Sequence, residues 1–155
     1  MLTVMTMLKF WKNIVTLGPI GYYQGSGTIA SVFAIILVIL IYNLGLNIVT
    51  MALMVALLTF LVFKLVDIVM PAFRYQDSPH IVIDEVLGMV YTFWGINLSL
   101  KVIVWGFVFF RFFDITKILG IDYLEKNIPN PLSIIVDDIV AGLLANCLLR
   151  FFNYL

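Results

Sequence analysis

The sequence predicts an all-α, polytopic integral membrane helical bundle of about four to five transmembrane or re-entrant helices, in one domain over residues 1–155. Three observations carry this. The chain is 63% hydrophobic and 12% charged, where soluble domains are roughly 25% charged. No charged residue lies between Lys12 and Lys64, a stretch over which a soluble fold needs polar faces. Polar breaks and prolines cut the apolar sequence into helix-sized pieces.

The elements follow in order. Lys9 and Lys12 come after a short apolar start with no small-residue cleavage site behind it, so no removable signal peptide is expected. As one helix, the run from Ile29 to Phe63 would be about 52 Å long against a ~30 Å hydrocarbon core, so it must fold back. NLGLN (Asn43 to Asn47) is its cluster of helix-weakening residues, which predicts spans near 28–42 and 47–66. Residues 64–80 hold charges and two prolines and read as a loop. Ser78-Pro79, a capping residue followed by proline at the first helical position, predicts a third span to about Gly95. After the polar break at 96–101, a fourth span is expected over about 100–114, followed by a charged loop at 115–130. Asn130-Pro131 repeats the cap-then-proline pattern and opens a fifth span to about Phe152.

Nine basic and nine acidic residues balance, so no bulk attraction to nucleic acid is expected. Position of charge carries the information instead. The single Cys147, in an apolar run, excludes a disulfide framework and a cysteine metal cluster, and a small buried hydrophobe is expected there.

With five spans and the N-terminus inside, Lys9, Lys12, Lys64, Arg74, Arg111, Lys117 and Lys126 fall at the inner face, and Lys101 and Arg150 at the outer. That bias obeys the positive-inside rule. All the acids gather on the inner side too: Asp67, Asp77, Asp84, Glu85, Asp114, Asp122, Glu125, Asp137 and Asp138. Asp84 and Glu85 follow Pro79, and Asp137 and Asp138 follow Pro131, by similar distances, which places both pairs at similar depth. An acid at the bilayer centre costs on the order of 2.5–3.5 kcal/mol, less near the interface. Four together also repel one another. Span stability requires none of them, so a shared cation is the economical explanation. Oxygen-only ligands favour a hard divalent ion such as Mg²⁺, held by Asp84, Glu85, Asp137 and Asp138. The alternative is that the pairs face an aqueous vestibule or bond to Arg111 and Lys117.

Residues suited to phosphate lie at the same face. In QGSGTIAS (Gln24 to Ser31) the glycines free the backbone, Thr28 can cap the helix that follows, and Gly27-Thr28 opens a helix N-terminus that attracts anions. A plain tight turn would look the same. In FVFFRFFDITK, Arg111, Asp114 and Lys117 share one side of a helix end. Arg111 and Lys117 can neutralise phosphate oxygens while Asp114 orients Arg111 or joins the metal; a helix C-terminus with an internal ion pair is the alternative. His80 reads as a solvated loop histidine.

These motifs resemble the phosphatidylglycerophosphatase A family. HIVIDEVLGMV (80–90) is similar to its IVxDExxGM segment, FRFFDITK (110–117) to FRxxDxxK, and VDDIVAG (136–142) to DDxxAG. SGTIAS (26–31) matches the family's glycine-threonine turn in part, with Ser26 for proline and Ala30 for glycine; Ile118 likewise replaces a proline. The departures touch connections and spare the carboxylates. The resemblance implies Mg²⁺-dependent hydrolysis of the terminal phosphate of phosphatidylglycerol phosphate, giving phosphatidylglycerol, at the cytoplasmic face of a bacterial inner membrane. Catalytic roles for Asp84, Glu85, Asp114, Asp137 and Asp138 are expected, with Arg111, Lys117, Gly27 and Thr28 on the phosphate and membrane lipids as surroundings. A small cation or proton transporter is the rival from another class, because intramembrane acids also mark ion paths. A path needs ionisable groups at the midplane or on both sides, and here they stop at one face.

Overall fold

In the computed structural model, which describes residues 2–73, 78–119, 121, 123, 127–129 and 131–153, the chain is all-helical, with no strand among the described residues. The helices are α1 (Leu2–Val15), α2 (Ser26–Asn43), α3 (Ile48–Val69), α4 (Ile83–Phe93), α5 (Leu100–Thr116) and α6 (Leu132–Asn153), with single 3₁₀ turns at Ile20–Tyr22 and Met70–Ala72. Three stretches are long and apolar enough to cross a membrane: Ser26–Asn43, Ile48–Ala72 and Leu132–Phe152.

The expected break after α2 is where the chain turns. Gly45 takes a left-handed conformation (φ +61°), and the Asn47 side chain caps α3 by accepting from the Thr50 N–H at 2.9 Å. Small residues line the buried stripe of α2 (Gly27, Ala30, Ser31, Ala34, Val38). They let its backbone approach α4 closely, the usual device where lipid removes any hydrophobic drive between helices. The opposite face exposes Ile29, Val32, Ile36 and Leu40 to the surroundings.

Several expectations need correction, among them the loop read over 64–80, since α3 continues to Val69 and a 3₁₀ turn follows at Met70–Ala72. α1 is an element the sequence reading did not anticipate; its Val15 packs with Val62, Val66 and Val69, and the Lys12 ammonium lies 4.4 Å over the Phe73 ring. Ser78-Pro79 does not start a helix. The Ile81 N–H closes a turn onto the Ser78 carbonyl at 3.0 Å, the Val82 N–H is taken by the Val15 carbonyl at 2.9 Å, and α4 begins only at Ile83. Its 11 residues make a helix of about 16 Å, half of a ~30 Å core. The 17 residues of α5 reach about 25 Å. By length, therefore, α4 is not a full span of its own, and α5 stands at the short limit for one. Asn130, the second expected cap, lies outside the described residues. Cys147 is exposed rather than buried.

Short as it is, α4 is the hub, touching α2, α3, α5 and α6. Its closest neighbour is α6. A Cβ at Gly142 would strike the Gly88 carbonyl, and one at Gly88 would stand 2.8 Å from the Asp138 carbonyl oxygen. Because those neighbours are backbone, they cannot swing aside. Gly142→Ala is expected to destabilise the protein by about 1–3 kcal/mol, read as a lowered melting temperature in detergent. An unchanged melting temperature would contradict the close approach.

Candidate active site

One end of the bundle collects the N-termini of α2, α4 and α6 and the C-terminus of α5 around a cavity of about 370 Å³. Asp84 and Glu85 enter from the first turn of α4. Asp137 and Asp138 come from α6, and Arg111, Asp114 and Lys117 from the end of α5. Gly25, Ser26 and Gly27 close the fourth side. Lys101 and Arg150 sit at the other end of the bundle.

The four expected metal ligands do not all converge. Carboxylate oxygens of Asp84, Glu85 and Asp138 lie within 4.8 Å of one another, and Asp84 and Asp138 are 8% and 4% exposed. Asp137 turns elsewhere: its Oδ2 accepts from Lys117 Nζ at 3.0 Å, and its Oδ1 from the Asp138 N–H at 3.0 Å. Adjacent acids can share one site, as Asp84 and Glu85 do; on α6 the Lys117 ammonium holds Asp137 apart from Asp138. Lys117 reaches Asp137 from a left-handed C-cap position (φ +48°), a conformation that costs a non-glycine residue roughly 1–2 kcal/mol.

Arg111 donates through Nη1 to Asp114 Oδ2, a pairing that orients the guanidinium from one helical turn away. Gly27 packs against both Glu85 and Arg111. A Cβ there would fall on Glu85 Oε1 and lie 3.1 Å from Arg111 Nη1. The obstacle is the tip of a flexible side chain, so Gly27→Ala should displace the Glu85 carboxylate with little effect on folding. Its expected result is a loss of activity of about tenfold or more at a nearly unchanged melting temperature, measured side by side. Full activity would mean that Glu85 need not stand where it does.

Two buried polar atoms of residues that line this cavity have no hydrogen-bond partner among the described residues, Glu85 Oε2 and Arg111 Nε. An orphaned buried acceptor costs about 1–3 kcal/mol or more when charged, and a lone carboxylate oxygen is satisfied by a cation. An orphaned guanidinium N–H is satisfied by an anion. The donor set holds carboxylate oxygens and no sulfur or imidazole, which suits a hard ion such as Mg²⁺.

Among the other expectations, Thr28 is exposed and outside the cavity wall. The N-cap of α2 is Gly25 (φ +73°), so the helix starts before Thr28 and carries its side chain outward. Asp67 is exposed on α3, away from the cluster. Arg74, Asp77, Asp122, Glu125 and Lys126 lie outside the described residues. His80 donates from Nδ1 to the Gly21 carbonyl at 2.8 Å and stacks on Tyr22, which ties the turn before α4 to the segment after α1. Sequence reasoning missed Ser133, which lines the cavity. Its position four residues before Asp137 on one helix face was the available signal.

Fold and cavity together define a helical, membrane-embedded protein whose buried polar site suits a divalent cation beside an anion. The profile of one family, Phosphatidylglycerophosphatase A, matches residues 13–153, and the chain belongs to that family. It is 33% identical over 84 residues to the phosphatidylglycerophosphatase A of Escherichia coli (strain K12), covering 51% of this chain and 46% of that one. With the protein of the same name from Haemophilus influenzae (strain ATCC 51907 / DSM 11121 / KW20 / Rd) it shares 37% identity over 71 residues, covering 45% of this chain and 44% of the relative. The chain thus spans about half the length of the curated relatives it matches. No solved structure matches it.

Proposed function

We propose that this protein hydrolyses the terminal phosphate of phosphatidylglycerol phosphate to give phosphatidylglycerol, with Mg²⁺ held by Asp84, Glu85 and Asp138 at the cytoplasmic face of a bacterial inner membrane. Membership of the family supports the reaction. The observation that carries it is the convergence of three carboxylates in a cavity lined also by Arg111 and Lys117, with a carboxylate oxygen of Glu85 and the guanidinium Nε of Arg111 left without partners among the described residues.

Bound there, Mg²⁺ supplies Lewis-acid polarisation of the phosphoryl group and makes water acidic enough to attack at neutral pH. The chain's own residues do the rest. Arg111, held by Asp114 at the cavity wall, offers its guanidinium charge to the non-bridging oxygens, where charge grows in the transition state. Lys117 adds a second positive charge at the cavity wall while its bond to Asp137 fixes its place. Asp137 lines the same cavity and holds Lys117 in place, and one of the cavity's carboxylates takes the proton of the attacking water. The new bond joins water oxygen to phosphorus, the glycerol oxygen–phosphorus bond breaks, and the glycerol oxygen leaves toward the cavity mouth to be protonated by solvent. Phe112 and Ile115, exposed on the same turns as Arg111 and Asp114, give the acyl chains an apolar surface beside the headgroup.

Purified protein in detergent, given phosphatidylglycerol phosphate with and without Mg²⁺, should release phosphate only with the ion. Absence of release, together with cation or proton flux in liposomes, would overturn the proposal in favour of the transporter.

A further inference from the structure

The two acid-bearing helices meet in a regular ladder. Asp84 stands by Asp138, Gly88 by Gly142, and the Thr92 carbonyl by Asn146, 54 residues apart in sequence. The same offset of 54 separates the partners at all three levels (138 − 84, 142 − 88, 146 − 92). α4 and α6 therefore run parallel in one register, with the acids on the first rung and Asn146 on the last.

That last rung is unusually rich in bonds. Asn146, 7% exposed, directs its Nδ2 to the carbonyls of Tyr91 at 3.2 Å, Thr92 at 2.9 Å and Trp94 at 3.0 Å. Arg150 donates from Nε to Asn146 Oδ1 at 2.8 Å and from Nη2 to the carbonyls of Trp94 at 2.9 Å and Gly95 at 3.2 Å. The end of α4 leaves carbonyls that no further helical turn can satisfy, and in a membrane each unsatisfied group costs several kcal/mol. Here α6 satisfies them with two side chains. The glycine contact on the middle rung allows the helices to approach closely. A smooth glycine seam does not by itself stop one helix sliding on the other; directional bonds at the end of α4 do.

We propose that Asn146, buttressed by Arg150, is a positioning residue: by locking the end of α4 onto α6 it sets the distance of Asp84 and Glu85 from Asp138, and with it the affinity of the site for a divalent cation. The action is at a distance of about 12 Å, eight residues along each helix. A slip of one residue moves the acids about 1.5 Å relative to each other, enough to spoil a shared ligand set. This inference rests on the cation site proposed above.

Mn²⁺ titration followed by electron paramagnetic resonance, on purified protein without lipid substrate, tests it. The parent protein, Asn146→Leu, Arg150→Met and an Asp138→Asn control are compared, with circular dichroism to establish folding. Asn146→Leu is expected to weaken Mn²⁺ binding by about tenfold or more while remaining helical. A folded Asn146→Leu protein with the parent's affinity overturns the inference, since a role confined to stability would leave binding untouched. Should Asn146→Leu not fold, Arg150→Met decides: weakening of about threefold or more upholds the inference, and parental affinity overturns it. If the parent binds Mn²⁺ no better than Asp138→Asn, the cation site itself is refuted and this inference with it, an outcome distinct from the other two.

Discussion

Asp138→Asn is expected to lower Mg²⁺-dependent phosphate release by about 10³-fold, equivalent to roughly 4 kcal/mol of transition-state stabilisation, while raising the melting temperature of the metal-free protein. Both effects have one cause. Asp138 is 4% exposed and shares a small volume with Asp84 and Glu85, so without a cation three carboxylates crowd together out of water. Replacing one by an isosteric amide removes repulsion and a desolvated charge, which favours folding, and removes a ligand, which abolishes the use of the site. Such a trade of stability for function is common where a binding site is built from like charges. Thermal unfolding in EDTA and phosphate release in Mg²⁺ give the two readings. Near-parental activity would remove Asp138 from the chemistry, and a lowered melting temperature in EDTA would show that the trio is already neutralised within the protein.

The second large effect is expected at Arg111. Arg111→Lys keeps the charge, yet kcat/KM should fall by about 10²-fold. The guanidinium bonds Asp114 through Nη1 and still has a buried Nε to offer, a fork that a single ammonium cannot reproduce. If Arg111 acts where charge develops, the loss should fall mainly on kcat; a change confined to KM would reduce its role to ground-state binding. Activity equal to the parent's would exclude Arg111 from the phosphate site.

Local signals read well wherever the deciding forces were local. The α2–α3 turn follows from Gly45 and the Asn47 cap. The gathering of Asp84, Glu85, Arg111, Asp114, Lys117, Asp137 and Asp138 at one end follows from charge placement along helical runs. Ser78-Pro79 misled because the backbone after it is taken by other parts of the chain: the Val82 N–H bonds to Val15, and Ser26 Oγ donates to the Pro79 carbonyl at 3.4 Å. Thr28 misled for a related reason, since a left-handed Gly25 starts α2 early and rotates Thr28 outward. Asn146 gave no sign at all, as an asparagine in a helical run has no local mark of the carbonyls it will meet.

Composition and charge order alone determined that this is a helical protein with membrane-length apolar helices and that Asp84, Glu85, Asp114, Asp137 and Asp138 come from helix ends that can gather, because burial in lipid and the spacing of helical turns act along the chain. Which carboxylates meet was decided by tertiary packing. Asp84 and Glu85 are neighbours in sequence and meet at one site, whereas Asp137 and Asp138 are neighbours and part, because the packing of α4 against α6 brings Asp138 to the trio while the end of α5 brings Lys117 to Asp137.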